Sequence, residues 1–162
     1  MDDRSQFCTF FINGQLYGVP VEEVQEVLSV LHITPVPLSP APVKGLLNIR
    51  GRIVTAMDMR RVMGLPAAKD QDNMMNVVVR DDGAEVSLVV DSIYDILTLR
   101  EKQMQPPPET VPEEAKPYIS GVFPLEKDLM LVLDVRRVLD DDQCIKTAIP
   151  TSERQRTEHT IH

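Results

Sequence analysis

The chain has no tryptophan, four phenylalanines and three tyrosines. Aromatic stacking therefore cannot carry its core. With 43% of residues hydrophobic, the interior must rest on valine, leucine, isoleucine and methionine. Cysteine is scarcer still. Cys8 and Cys144 share no motif spacing, which argues against a disulfide framework or a zinc site and reads as two unpaired thiols in a reducing cytoplasm. No apolar run approaches the roughly 20 residues that cross a bilayer. The opening MDDRSQ is polar and acidic, unlike a signal peptide. Basic residues number 17 against 25 acidic ones, a net charge of -8. That leaves no basic footprint for nucleic acid and sets the chain against anionic lipid surfaces. The clustered Phe7, Phe10 and Phe11 read as core rather than as a base-stacking platform. His32, His159 and His162 have no cysteine partner, glycine-rich phosphate loop or metal-spaced cluster around them. Asp91 and Asp95, four residues apart, read as a solvated face rather than a catalytic pair. The expectation is a protein that is not an enzyme and needs no cofactor or metal.

What is present is a duplication. FCTFFINGQLYGVPVEEVQEVLSV (7–30) aligns without gaps on NVVVRDDGAEVSLVVDSIYDILTL (76–99), at an offset of 69. RIVTAMDMRRVMG (52–64) aligns on DLMLVLDVRRVLD (128–140) at an offset of 76, so the second copy carries seven extra residues within EKQMQPPPETVPEEAKPYIS. Proline-rich loops tolerate such insertions because their backbone need not complete a ladder. Each copy reads as a strand, a turn, a second strand, a short helical piece, a proline-bearing loop, two further strands and a terminal helical turn. In the helical piece, Val24, Val27 and Leu28 match Ile93, Ile96 and Leu97 at a spacing that puts them on one helix face. Short strands separated by Gly, Pro, Asn and Asp predict two small barrels or curled sheets. About 70 residues are marginal for a lone barrel, so the copies should share an apolar seam. AAKDQDN (67–73) is the expected crossover, and the polar stretch after Asp140 is expected to be a partly helical or disordered extension.

The duplication also serves as an internal control, because a residue the fold requires should recur in both copies. Asp58, Arg60 and Arg61 recur as Asp134, Arg136 and Arg137. They read as a capped helical turn with its arginines in solvent. NIRGR (48–52) behaves differently. Its neighbours keep their apolar character and Gly45 recurs as Gly121, but Arg50, Gly51 and Arg52 become Glu126, Lys127 and Asp128. Gly51 suits a tight hairpin. A turn does not call for a guanidinium, whose planar fork suits carboxylates and carbonyls on a partner. Arg50 is thus either an exposed turn residue or a contact, and Arg52 stays undecided. In VEEVQEVL, Gln25 and Glu26 stand where the second copy has Tyr94 and Asp95. Taken alone, that segment reads as a solvated helix face, with a site as the alternative.

At these residues the sequence resembles the CheW family, the coupling proteins of bacterial chemotaxis. The resemblance spans roughly 6–140 and rests on FCTFFINGQLYGVPVEEVQEV, VKGLLNIRGRIVTAMDMR, LVVDSIYDIL, and PPPE followed by YISGVF. It implies a mainly β fold of two intertwined SH3-like five-stranded barrels with short helices within one domain, the duplicated units covering about 7–66 and 74–140; the tail at 141–162 departs from the family pattern. It implies a non-enzymatic, cytoplasmic adaptor recruited to membrane-associated receptor arrays. The adaptor would bind the regulatory domain of the histidine kinase CheA and the cytoplasmic tip of methyl-accepting chemoreceptors, the receptor hairpin lying in a groove between the barrels. An adaptor of a non-motility chemosensory pathway is the alternative. By the same resemblance, partner contact falls on Val24, Gln25 and Glu26 and on Arg50 of the N-[LI]-R-G motif.

Overall fold

The computed structural model describes residues 3–29 and 32–140. The expected tail at 141–162, with Cys144, His159 and His162, lies outside the described residues. The described chain forms ten strands and two short helices. In order these are β1 (Arg4–Ile12), β2 (Gln15–Pro20), β3 (Val24–Leu28), β4 (Val43–Ile49), β5 (Arg52–Asp58), α1 (Met59–Val62), β6 (Met75–Asp81), β7 (Ala84–Val90), β8 (Ser92–Arg100), β9 (Ile119–Pro124), β10 (Leu129–Leu133) and α2 (Val135–Leu139). They make two five-stranded sheets, one ordered β8-β1-β2-β10-β9 and the other β3-β6-β7-β5-β4.

The ladder registers reproduce the sequence duplication residue for residue. Phe7↔Pro20 through Ile12↔Gln15 in β1–β2 match Asn76↔Val89 through Asp81↔Ala84 in β6–β7. Asn48↔Ile53 in β4–β5 matches Pro124↔Leu129 in β9–β10. The copies exchange strands, since β1 and β2 pair with β8 to β10 while β6 and β7 pair with β3 to β5. The chain changes sheets at Val21–Glu23 and at Asp91, which follow β2 and β7. Segment 67–73, expected to be the crossover, instead joins α1 to β6 beside the same sheet.

Alternation along the first strand of each copy explains their unbroken apolar runs. Cys8, Phe10 and Ile12 face a cluster shared by both sheets, where Val77 and Val79 meet them from β6. The opposite face of β1 places Phe7 in the interior of the first barrel with Leu16, Phe123, Met130 and Val132. Val78 does the same in the second barrel with Leu47, Ile49, Val54 and Val89. A strand buried on both faces reads as a hydrophobic run instead of an alternating pattern. Cys8 is free and buried, and burial pushes its thiol above the usual value.

Each barrel is closed by its proline-rich loop. Thr34 exchanges reciprocal backbone hydrogen bonds with Leu46 at 2.8 and 2.9 Å, and Gln105 does so with Val122 at 2.8 Å. Gly45 and Gly121 lie beneath these bridges. A Cβ on Gly45 would meet the Thr34 carbonyl, and one on Gly121 would meet the Met104 side chain. The recurrence of this glycine is therefore a close-approach requirement of closure.

The segments read as helical after β2 and β7 are strands. Residues 24–28 pair with β6, and 92–100 pair with β1. Only Val21–Glu23 makes a single 3-10 turn. The β-branched valines and isoleucines there gain a ladder partner on the neighbouring strand, and no side chain caps the turn after β2 as Asp58 and Asp134 cap α1 and α2. Val24 and Leu28 accordingly face inward while Val27 faces out, and the three do not share one face.

Of the paired arginines, Arg61, Arg136 and Arg137 are exposed as expected and Arg60 is not. Asp58 does cap α1, accepting from the Arg60 and Arg61 amides, and Asp134 caps α2 through Arg137. Arg60 is not solvated, however. Its Nε and Nη2 reach the two Asp91 oxygens at 3.0 and 2.6 Å, and Asp91 also accepts from the Asn13 amide at 2.8 Å. This group pins the α1 end of one sheet to the β1–β2 hairpin of the other at a sheet crossing. Arg136, which matches Arg60, instead makes a 3.4 Å contact with Asp81, a residue that does not correspond to Asp91. Burial pushes the Asp91 carboxyl up, but the hydrogen bonds from Arg60 and Asn13 and the Arg60 charge outweigh it and hold it below the usual value. Because the folded value is depressed, the stabilisation is complete above the unfolded Asp pKa of about 4 and is lost as pH falls through the folded value. Asp91→Ala should cost about 2 kcal/mol at neutral pH, since it strands a largely buried guanidinium. Denaturant melts of parent and variant should therefore differ at pH 7 and converge only as pH falls below the usual Asp range.

Candidate functional site

NIRG forms the β4–β5 hairpin. Ile49 pairs with Arg52, leaving a two-residue loop of Arg50 (φ 51°) and Gly51 (φ 86°). Positive φ at both loop positions defines the primed turn that matches strand twist and favours Asn-Gly or Asp-Gly. The other two tight hairpins follow that rule, with Asn13-Gly14 and Asp82-Gly83 at nearly the same angles. Arg50 thus occupies a left-handed position where the other two hairpins carry Asn and Asp, at a cost of about 1 kcal/mol. Asn48 braces the turn, its Oδ1 accepting from the Gly51 amide at 2.9 Å. The matched region of the second copy is no such turn. Leu125–Asp128 form a four-residue loop closed by a 2.7 Å bond from the Leu125 amide to the Asp128 carbonyl.

The VQE segment lies in β3 at a bulge. Val24 opposes Val79 and Glu26 opposes Val78, so Gln25 is the extra residue. A bulge re-aims the side chains around it. Val24 packs against the shared core, Gln25 is exposed, and Glu26 is half-buried. β3 and β4 are the two edges of one sheet. Arg50 Nη1 nevertheless reaches both Glu26 oxygens, at 2.8 and 2.5 Å. The sheet curls until its edges meet, and the two sequence candidates, 24 residues apart, become one feature.

Its asymmetry matters chemically. The Arg50 side chain is 71% exposed over a Glu26 that is 19% exposed. Only Nη1 is used, so Nε and Nη2 have no partner among the described residues. The carboxylate holds the guanidinium in place while leaving donors toward solvent. Beside it, Arg52 Nε and Nη2 grip the two Glu85 oxygens at 3.2 and 3.1 Å. That hydrogen bond holds the Arg52 guanidinium above its usual value. Arg80, opposite Glu85 in the β6–β7 ladder, reaches Gln25 Oε1 at 3.5 Å.

Sequence reasoning singled out Arg50, Val24, Gln25 and Glu26 and left Arg52 undecided. It missed Asn48, Arg80 and Glu85. The signal was available in the duplication, where Glu85 aligns with Leu16 and Arg80 with Phe11. Around the matched positions of the first barrel the chemistry is apolar. Leu16 is buried there, and Phe11 stacks edge-on against Tyr94 at 5.5 Å. Among the described residues no cluster of His, Cys, Asp and Glu suits a metal ion, and no helix is long and apolar enough to cross a membrane.

Comparison with known proteins bears on the fold as a whole. Residues 6–143 match the family described as CheW-like domain. The chain is 27% identical over 138 residues to the chemotaxis protein CheW of Klebsiella aerogenes, covering 85% of this chain and 83% of that one. It is 26% identical to the CheW of Bacillus subtilis, covering 90% and 92%, and 24% identical to that of Treponema pallidum, covering 91% and 89%. In fold it is similar to the crystal structure of the scaffolding protein TtCheW from Thermoanaerobacter tengcongensis, with a TM-score of 0.73 at 22% identity over 80% of this chain and 88% of that one.

Proposed function

This chain belongs to the CheW-like domain family, and from that membership we propose that it is a non-enzymatic chemotaxis adaptor. It joins the regulatory domain of the histidine kinase CheA to the cytoplasmic tip of methyl-accepting receptors, at membrane-associated arrays. The observation that carries the reading is Arg50. It sits in a strained turn that Asn or Asp would occupy at less cost, and the matched loop of the second copy does without it. Strain held at an exposed residue points to function. Glu26 holds the guanidinium in place, so less side-chain freedom is lost when a partner binds. The bulge leaves Gln25 exposed on an end strand of the sheet beside this pair. Val27 and Ile53, 39% and 64% exposed on β3 and β5, supply apolar contact area.

The chemistry available is recognition, and coupling follows if receptor conformations contact the adaptor–kinase unit differently. Calorimetric titration of the chain with CheA regulatory domain and with a receptor cytoplasmic fragment tests this. Saturable binding to both is expected. Binding to neither, at low and at moderate salt, contradicts the proposal.

A further inference from the structure

We infer that Arg52 and Glu85, with Arg80, extend the Arg50–Glu26 site into a guanidinium-faced end of the second barrel that selects a carboxylate-bearing protein surface. The inference rests on Arg50 being a partner contact and concerns what that partner must carry.

The layering of charge is the first observation. Glu26 and Glu85 side chains are each 19% exposed, whereas Arg50 and Arg52 above them are 71% and 41% exposed. The carboxylates lie beneath and the guanidiniums lie on top. An approaching partner meets donors, although the pairs are formally neutral and the whole chain carries -8. Donors of this kind are matched by carboxylates, which accept from arginine in a planar, two-point geometry.

The duplication is the second observation. Glu85 and Arg80 correspond to Leu16 and Phe11, Arg52 to Asp128, and Gln25 to Tyr94. The first barrel fills the Glu85 and Arg80 positions with apolar side chains and folds in the same registers. The scaffold therefore does not demand charge there. Exposed ion pairs contribute little to stability, so folding gives no strong reason for Glu85 and Arg80 in place of Leu16 and Phe11, or for Arg52 in place of an acidic residue. Charge arranged across an interface acts chiefly on partner choice and association rate.

The test uses the full chain and three variants, Arg52→Glu, Glu85→Arg and the double exchange Arg52→Glu/Glu85→Arg. Each is titrated with CheA regulatory domain and with receptor cytoplasmic fragment at two salt concentrations, beside thermal melts. Arg52→Glu should weaken binding on the order of tenfold for the partner that docks at this end. The double exchange re-forms the ion pair and should regain the parent melting temperature. Its outer charge is inverted, so binding should stay weak. If the double exchange regains both stability and affinity, Arg52 and Glu85 are merely structural and the inference fails. It also fails if all three variants bind like the parent while Arg50→Glu does not. If the parent itself binds neither protein, the adaptor reading falls and this inference falls with it.

Discussion

Arg50→Glu should lose its partners and keep its fold. The guanidinium in place over Glu26 is replaced by a carboxylate facing another carboxylate, and an outward donor becomes an outward acceptor. If Arg50 is an interface anchor, affinity should fall about 100-fold, the range of a charged hot spot. Stability should move by less than about 1 kcal/mol, because an exposed pair contributes little. Arg50→Asn sharpens the case. Asparagine is the residue this primed turn prefers, and it occupies the same place at Asn13. That variant should melt at or slightly above the parent temperature and still fail to bind. A residue whose removal relaxes the backbone while abolishing function is retained for function. Differential scanning calorimetry beside titration separates the two effects. A melting temperature lowered by ten degrees or more would make Arg50 structural.

Gly45→Ala should have the largest effect on folding. Gly45 sits at φ 154° under the closing bridge, where an added Cβ would fall onto the Thr34 carbonyl and against the Ile33 methyl, with the Thr34 carbonyl carbon 2.9 Å away. The obstruction is backbone and cannot rotate aside. Relief requires breaking the Thr34–Leu46 hydrogen bonds, which close the barrel between β3 and β4. The expected cost is about 3 kcal/mol or more, by overpacking at a buried glycine combined with loss of the closing backbone bridge. Because the same closure brings β3 to the β4–β5 hairpin, Glu26 should also drift from Arg50. The variant should therefore lose partner affinity as well as stability. Gly121→Ala is the control. Its obstruction is mainly the flexible Met104 side chain, so it should cost less and leave the Arg50 site intact. Denaturant unfolding with a fixed slope compares the two.

Much of this architecture was legible because the chain carries its own comparison. The offsets of 69 and 76 predicted equivalent hairpins, and the ladders obey them. The shared seam followed from the length of each copy and is the largest buried cluster. What failed had a local cause. Residues 24–28 offered an apolar spacing of i, i+3, i+4, which a helix and a bulged edge strand both satisfy over five residues. The strand does alternate inward and outward, but its middle inward position is the polar Glu26, so no apolar alternation marks it in the sequence. Arg60 was read as solvated because its recurrence as Arg136 fitted a surface helix. Only the fold brings Asp91, 31 residues on, beneath it. The exchange of strands between the copies was similarly invisible, since an alignment records which segments are alike and not which ones pair. At the site, Glu26 and Arg50 were each identifiable alone, while their contact depends on the curl of a sheet whose edges they occupy.

Co-sedimentation of CheA with receptor-bearing vesicles, in the presence and absence of this chain, tests the adaptor reading most directly. The account predicts that CheA pellets with the receptors only when the parent chain is added, and that Arg50→Glu leaves it in the supernatant. Equal pelleting of CheA with and without the chain would contradict it.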